Sequence, residues 1–559
     1  MVIHARAPAA ERQSLTAQRL GLRNLRWPLS ICVVGFVGLA VAWCMAWGRP
    51  PTPFLHDEFS NLLVADTLRH GRLANPSPAV WQPFQSFHIL VNPAYASKYP
   101  LGPGALLALG WSISGSPAAG IWLGAALCAA AMTWAAGGCL PRRWAVLAGL
   151  LLALHPSVHR EWSLSFVNGY LTATASGLIA GAILRLRKRQ RAIDCVILGV
   201  GVSGLALTRP FEGLLFTISA ALLLLFWWRW LPIGAQLKRA ARISFWAAGP
   251  VACTFALVAA HNHATTGKVT QLAYQLHEIK YGVAPLSIFQ SAKVPEMSQW
   301  SADAPPTFHS FHYGWSVDSY RKRNHFAGWC GAVAERLYVV AHFWGWLFCL
   351  VAVTLLFQTG KAFRPMAVVI AAALLAGTFV PWYFTHYFAP SLVWLVILTA
   401  AGFRSIITRM TTDRASVRLC VVSLLLVQSI MTTREIYQAV ARPLVWSDQR
   451  QRLVEDLTQC GGQHLILVRY HANHNVHHEW VYNGADLENS PVVWARSWRP
   501  DLDERLLSHY RGRSVWLLQF DETDRASLKS FFKPEVVRSL DSRADRAEHG
   551  APHSGDTIH

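Results

Sequence analysis

Long apolar stretches separated by short polar ones set the layout of this chain. A helix needs about 20 apolar residues to cross the hydrocarbon core of a bilayer, and about eleven stretches approach that length. They are Leu29–Trp47, Ala118–Leu140, Trp144–Val158, Asn168–Leu184, Ala192–Leu207, Phe211–Trp230, Ile243–Ala260, Leu337–Phe357, Met366–Tyr383, Phe388–Phe403 and Leu419–Thr432. Between them the basic residues are unevenly placed. The N-terminal arm carries Arg6, Arg12, Arg19, Arg23 and Arg26. Further clusters are Arg142–Arg143, Arg185 to Arg191, Lys238 to Arg242, Lys361 with Arg364, and Arg404 to Arg418. With the N-terminus in the cytoplasm, alternation of the spans puts every cluster on the cytoplasmic side, as the positive-inside rule requires. This holds only if Leu101–Gly115 does not cross. That stretch is short and glycine-rich and reads as a juxtamembrane or re-entrant helix. Leu29–Trp47 lacks a small-residue cleavage site and is expected to remain as an anchor.

Three pieces then fall outside: a loop over 49–117, a loop over 261–336 rich in His, Pro and aromatics, and everything after Thr432. In the last piece the pattern changes. Gln463–Tyr470, Val492–Trp498 and Ser514–Phe520 read as strands, and Asp448–Gln459 and Leu502–Tyr510 as helices, which together predict a small α/β unit. The expected organisation is a polytopic α-helical membrane domain over 1–435, an outer α/β domain over 436–537, and a polar, disordered tail over 538–559.

Composition sharpens this picture. The chain is 53% hydrophobic and 15% charged, against roughly 25% charged in soluble proteins. Its 25 tryptophans suit membrane–water interfaces. The net charge of +20 would fit nucleic acid, but the basic residues flank apolar runs, so topology explains them and no nucleic-acid partner is expected. Most of the ten cysteines, Cys128 and Cys253 among them, lie within apolar runs as small fillers. Cys330 and Cys460 fall outside, without a spacing that indicates a disulfide.

The chemistry concentrates on the outer side. His56-Asp57-Glu58 follows the first span directly. A carboxylate there can take a proton from a nucleophile, or Asp57 can cap the helix that follows. Ser97-Lys98-Tyr99-Pro100 closes the same loop, where Lys98 either snorkels or holds a phosphate. Arg209, in Thr208-Arg209-Pro210, lies at the outer end of a span with Glu212 as a structural ion-pair partner; ionisable groups at such depth are functional candidates. His155, His159, Arg160, Glu161 and Asn168 crowd the next outer loop, and His386-Tyr387 lie at a later outer end. His471, His474, His477, His478 and Glu479 have metal-like spacing, but no further pair completes a recognisable site, and the segment also reads as a polar loop.

This set of motifs resembles the GT-C glycosyltransferases, in the branch of the protein O-mannosyltransferases and the bacterial lipid A aminoarabinose transferases. The resemblance spans Leu29 to Arg418 in layout. Asp57-Glu58 is similar to the Asp-Glu pair that opens the family's first outer loop, and Lys98-Tyr99-Pro100 to the Lys-Pro motif that closes it. Thr208-Arg209-Pro210 stands for a Thr-Lys-Gly motif with the cation kept, and His386-Tyr387 for an Arg-Tyr pair. Two positions depart from the pattern. Asn168, with Glu161 upstream, stands near the family's second Asp, and Ser97 replaces the acidic residue common before the Lys.

The resemblance implies transfer of a hexosyl or pentosyl group from a polyprenyl-phosphate donor to a glycan, lipid or protein acceptor, in a bacterial inner membrane. Asp57, then Glu58, would be catalytic, and Lys98 and Arg209 would bind the donor phosphate. His56, Tyr99, His155, Glu161, Asn168, His386 and Tyr387 would line the pocket. No cofactor is expected; a divalent metal is possible, without a motif for it. Two other readings stay open: a transporter or flippase of a lipid-linked substrate, and a GT-C-like glycan binder without turnover. Transporters tend to show internal repeats and interrupted spans at the membrane midplane, and neither is visible here.

Overall fold

The computed structural model describes residues 9–292, 304–358, 363–521, 525–531 and 537–539. The chain divides into two compact units. One, the helical unit, holds the chain up to Pro51, Pro100–Val258 and Phe326–Arg442. The other, the mixed unit, holds Thr52–Tyr99, Ala259–His325 and the chain from Pro443.

Apolar runs build the helical unit. Among the described residues seven helices are long and apolar enough to cross a membrane: Arg26–Met45, Ala118–Ala136, Gly169–Leu186, Pro210–Trp228, Ile233–Thr266, Ala389–Met410 and Arg414–Val440. Three shorter apolar helices accompany them, Leu101–Ser114, Ala192–Ala206 and Arg364–Gly377. Helix Leu101–Ser114 has 14 residues, so it is about 21 Å long and falls short of a bilayer core of about 30 Å. Its Gly110 approaches Gly120 so closely that a Cβ would lie 2.1 Å from the Gly120 nitrogen. Small residues allow such approach where lipid offers no hydrophobic drive to pack helices.

Two expected spans are interrupted. Leu337–Phe357 is two helices, Phe326–Trp344 and Trp346–Phe357, bent by 104°. Gly345 takes up the break with a φ of 87°, a conformation glycine adopts without a steric penalty. Trp144–Val158 ends as a helix at Ala153, and a second helix, Pro156–Trp162, starts from His155. Pro156 cannot continue the hydrogen-bond ladder but suits a first turn. Every cysteine is free, Cys330 and Cys460 included.

The mixed unit joins the two loops to the tail. Helix His56–Arg69 is followed by short antiparallel strands β1 (Asn75–Pro76), β2 (Ile89–Leu90) and β3 (Ala94–Ser97), in the order β1-β3-β2. The tail forms β4 (His464–Arg469), β5 (Val492–Arg496), β6 (Ser514–Phe520), β7 (Ala526–Ser530) and β8 (Val537–Ser539), in the order β5-β4-β6-β7-β8. Strands β5, β4 and β6 are parallel; β7 and β8 add antiparallel. Strand β4 lies between two parallel partners and is apolar throughout Leu465–Val468, as a strand covered on both faces must be. Helices Trp446–Gln459 and Pro500–His509 complete the α/β layer.

This sheet shares its core with the first loop. Phe59, Leu63, Phe84, Val91 and Tyr95 are buried in one cluster with Leu465, Leu467, Val493, Leu502 and Leu506. The sequence pattern set the tail apart at residue 436, whereas packing makes the loops and the tail one unit. Beneath this layer Arg496 and Glu479, each 2% exposed, form an ion pair at 2.6 Å. Residues 540–559 of the expected tail lie outside the described residues, as do Arg6 and Lys361.

Candidate functional site

The start of helix His56–Arg69 sorts the two adjacent carboxylates into different tasks. Glu58 Oε2 accepts the N–H groups of Phe54 at 2.6 Å and Leu55 at 3.0 Å, so the third residue of the helix caps its start. Asp57 is left to other partners. Tyr99 donates its hydroxyl to Asp57 Oδ1, and His88 Nε2 lies 4.0 Å from the same oxygen. The Asp57 side chain is 32% exposed, so a substrate can reach it.

Strand register delivers the other groups. Ile89 pairs with Ser97 in the β2–β3 ladder, which sets His88 opposite Lys98. The Lys98 N–H donates to the His88 carbonyl at 3.1 Å. Ser97, at the position where an acidic residue is common, is spent on the backbone and on a neighbour. Its Oγ meets Ser60 Oγ at 2.6 Å and accepts the Tyr99 N–H at 2.9 Å. The carboxylate beside Lys98 comes from elsewhere. Helix Ala273–Tyr281, from the second loop, puts Glu278 Oε1 3.6 Å from Lys98 Nζ, and the Tyr274 ring lies 4.8 Å from the ammonium. A π-helical turn, Ser310–Ser316, adds Phe311 and His312, a helix form frequent at functional sites.

Burial dominates the electrostatics. His56, His88 and His312 are held well below the usual imidazole range, first by loss of solvent and then by neighbouring cationic groups, Lys98 among them. His277 is lowered to about 4 by the same causes. Burial opposes ionisation of Glu278, yet His277 and the charge of Lys98 bring its carboxyl down to about 2. Lys98 is lowered by burial, against the pull of Glu278 and Asp57. The site therefore holds a buried ammonium, an ionised partner, a reachable carboxylate and a wall of neutral imidazoles.

A second constellation lies in the helical unit. A small pocket is lined by Phe211, Glu212, Phe216, Ala373, Tyr383 and Tyr387, among others. Arg209 lies over the Tyr387 ring at 4.2 Å and reaches Glu212 at 3.4 Å. Arg336, 1% exposed, donates to the Val380 carbonyl at 2.9 Å and lies 5.1 Å from the Tyr383 ring.

The structure thus gathers His56, Asp57, Lys98 and Tyr99 in one unit, and Arg209 with Tyr387 and the adjacent His386 in the other. His155, Glu161 and Asn168 have partners of their own in the helical unit. His155 Nε2 bonds the Trp344 carbonyl, and its Nδ1 accepts the Val158 N–H. Glu161 meets Arg160 at 3.6 Å with both side chains 39% exposed. Asn168 has a φ of 61° and caps helix Gly169–Leu186 by accepting the Leu171 N–H at 3.3 Å. Asn tolerates that backbone conformation, which accounts for an amide at this position. The residues that sequence missed are His88, His277, Glu278, His312, Arg336 and Tyr383. Only the histidine-rich character of the second loop hinted at any of them.

Metal-like spacing in the tail does not become a cluster. Glu479 pairs with Arg496, and His474 Nε2 bonds the His478 carbonyl at 2.8 Å. Among the described residues no group of three His, Cys, Asp or Glu is placed to hold an ion.

No family model matches the sequence, and no curated protein matches it either. Solved structures do resemble the fold. ArnT from Cupriavidus metallidurans bound to undecaprenyl phosphate matches with a TM-score of 0.54 and 11% identity, over 89% of this chain and 93% of that one. The same protein in the apo state matches with a TM-score of 0.51 and 12% identity, over 90% and 94%. A weaker likeness, TM-score 0.48 at 11% identity over 88% of this chain and 68% of the other, is to an oligosaccharyltransferase from Archaeoglobus fulgidus in complex with zinc and sulfate. At these identities the likeness to ArnT is one of architecture: this chain has the fold of the GT-C glycosyltransferases.

Proposed function

We propose that this protein transfers a hexosyl or pentosyl group from a polyprenyl-phosphate donor to an acceptor nucleophile on the outer face of a bacterial inner membrane. Asp57 carries the reading. It is a reachable carboxylate oriented by Tyr99, beside a buried lysine, in a chain with the GT-C fold. The ArnT structure that it resembles holds undecaprenyl phosphate, which supports a lipid phosphate as the donor's carrier.

In this reading Asp57 accepts the proton of the acceptor hydroxyl as that oxygen attacks the anomeric carbon. The bond from that carbon to the phosphate oxygen breaks, and its electron pair leaves with the phosphate. Lys98 supplies positive charge for the leaving group, which stabilises it most where charge develops, and Arg209, in the helical unit, is a separate phosphate-binding candidate. The topology that goes with this reading has about eleven spans, a cytoplasmic N-terminus and the mixed unit outside.

Two experiments test it. Reporter fusions after Arg189 and Arg414 should read cytoplasmic, and fusions after Ala260 and Gly462 should read outside; a cytoplasmic tail overturns the site assignment. Purified protein given a panel of polyprenyl-phosphate sugars should release polyprenyl phosphate from at least one of them in the presence of envelope extract. Movement of intact donor between leaflets without release would make the protein a flippase.

A further inference from the structure

Some buried histidines in this chain spend both ring nitrogens on structure. His159 is an example: Nδ1 meets Ser163 Oγ at 2.8 Å, and Nε2 meets the Ala153 carbonyl at 2.8 Å. His155 is satisfied on both nitrogens in the same way. His88 is not. Its Nδ1 is buried without a hydrogen-bond partner, and its Nε2 is directed at Asp57 Oδ1 at 4.0 Å.

The backbone of His88 is also unusual. Its φ is 63°, a region that side chains other than glycine rarely occupy. Two hydrogen bonds to its carbonyl hold it there, from Ser60 Oγ at 2.8 Å and from the Lys98 N–H at 3.1 Å. Strain of this kind persists only where the surroundings over-determine it, and it collects at functional sites. The ring is wedged among His56, Tyr99, His277 and Phe311. Burial, and after it the charges of Lys98, His56, His277 and His312, favours the neutral imidazole.

The tautomer follows from the partners. A proton on Nδ1 would be a buried donor without an acceptor, which is costly. A proton on Nε2 faces a carboxylate. Among the described residues Asp57 Oδ1 accepts the Tyr99 hydroxyl and faces His88 Nε2 at 4.0 Å, just beyond hydrogen-bond reach, and no hydrogen bond reaches Oδ2. Catalytic hydrogen bonds are often long without substrate and tighten in the complex.

We infer that His88 is a positioning residue for Asp57: through Nε2–H, together with the Tyr99 hydroxyl, it fixes Oδ1 and presents Oδ2 to the acceptor proton. This rests on the reading of Asp57 as the base. The test compares His88→Phe, which fills the ring volume without a donor, with His88→Gln, whose amide can still donate. Donor turnover and unfolding temperature are measured on full-length protein, alone and in an Asp57→Asn background.

The expected result is a kcat about 10- to 100-fold lower in His88→Phe, with the donor KM within about twofold. His88→Gln should recover most of that loss, and both should melt like the wild type. In Asp57→Asn the His88→Phe change should remove nothing further, because residues acting as one unit are not additive. Full activity in His88→Phe overturns the inference. So does an equal loss in Phe and Gln with a lowered unfolding temperature, or an added loss on the Asp57→Asn background. Full activity in Asp57→Asn alone is a different failure: it removes the base, and the role of His88 with it.

Discussion

The ion pair of Lys98 and Glu278 gives a prediction whose size can be worked out. Lys98 is 6% exposed, and Glu278 is 20% exposed at 3.6 Å. At an effective dielectric of about 20, unit charges at that separation attract by about 4–5 kcal/mol. Desolvation offsets much of this in the intact pair, but removing one partner leaves the other charge buried and costs about 3–5 kcal/mol. Glu278→Gln is expected at the low end, near 3 kcal/mol, because the carboxylate keeps some solvent. For a unit of this size that lowers the unfolding temperature by about 6–12 °C. Lys98→Met should cost a similar amount by stranding Glu278. The double variant should return close to wild type, since replacing both charges is often neutral. The deficit of Glu278→Gln should also depend on pH. Without Glu278 the folded Lys98 binds its proton less tightly than the unfolded chain does, so stability rises with pH across that interval. The deficit is therefore largest near neutrality and narrows towards pH 10. Thermal unfolding by tryptophan fluorescence in detergent reads all of this. Additive losses in the double variant, or a deficit that does not change with pH, would refute the reasoning.

Other expectations follow from the same geometry. The mixed unit should lose stability as pH falls from about 6.5 towards 4, because His277 titrates near 4 in the folded chain and near 6.5 when unfolded, so the unfolded chain binds more protons across that window. Each such histidine adds a slope of about 1.4 kcal/mol per pH unit; a flat unfolding profile over that range would show these imidazoles already charged. Arg209→Ala should raise the donor KM by about 10- to 100-fold, the scale of a lost charge-assisted contact, while leaving membrane insertion intact. Arg209→Lys should recover part of it as a point charge without the guanidinium fork. Unchanged donor use at limiting concentration in Arg209→Ala would remove it from phosphate binding.

Much of the architecture was legible in the sequence because helices that cross lipid satisfy their own backbone and bury apolar faces, and both leave long apolar runs. The strand Ser514–Phe520 and helix Trp446–Gln459 were readable for a similar reason, from local period alone. The breaks were harder. Gly345 and Pro156 interrupt runs that remain apolar on both sides, so hydropathy passes over them. The site was half readable. Asp57 and Lys98 stand beside a span and a Pro motif, but Glu278 meets Lys98 only through tertiary packing, from a helix far along the chain. His88 gives no local signal, since its left-handed backbone comes from Ser60 and Lys98 holding its carbonyl. Glu58 shows the limit of the adjacent-pair reading: two carboxylates side by side on a helix start face different ways, and one of them is the cap.

The most direct measurement is turnover of a polyprenyl-phosphate sugar by purified protein, wild type against Asp57→Asn. Helix His56–Arg69 is capped by Glu58, so Asp57→Asn should leave unfolding temperature and expression unchanged. Asn cannot take a proton, so polyprenyl phosphate release should fall by roughly a hundredfold or more, the scale of a general base. Near-normal release in Asp57→Asn, or no release by the wild type from any such donor in the presence of envelope acceptors, would contradict the account.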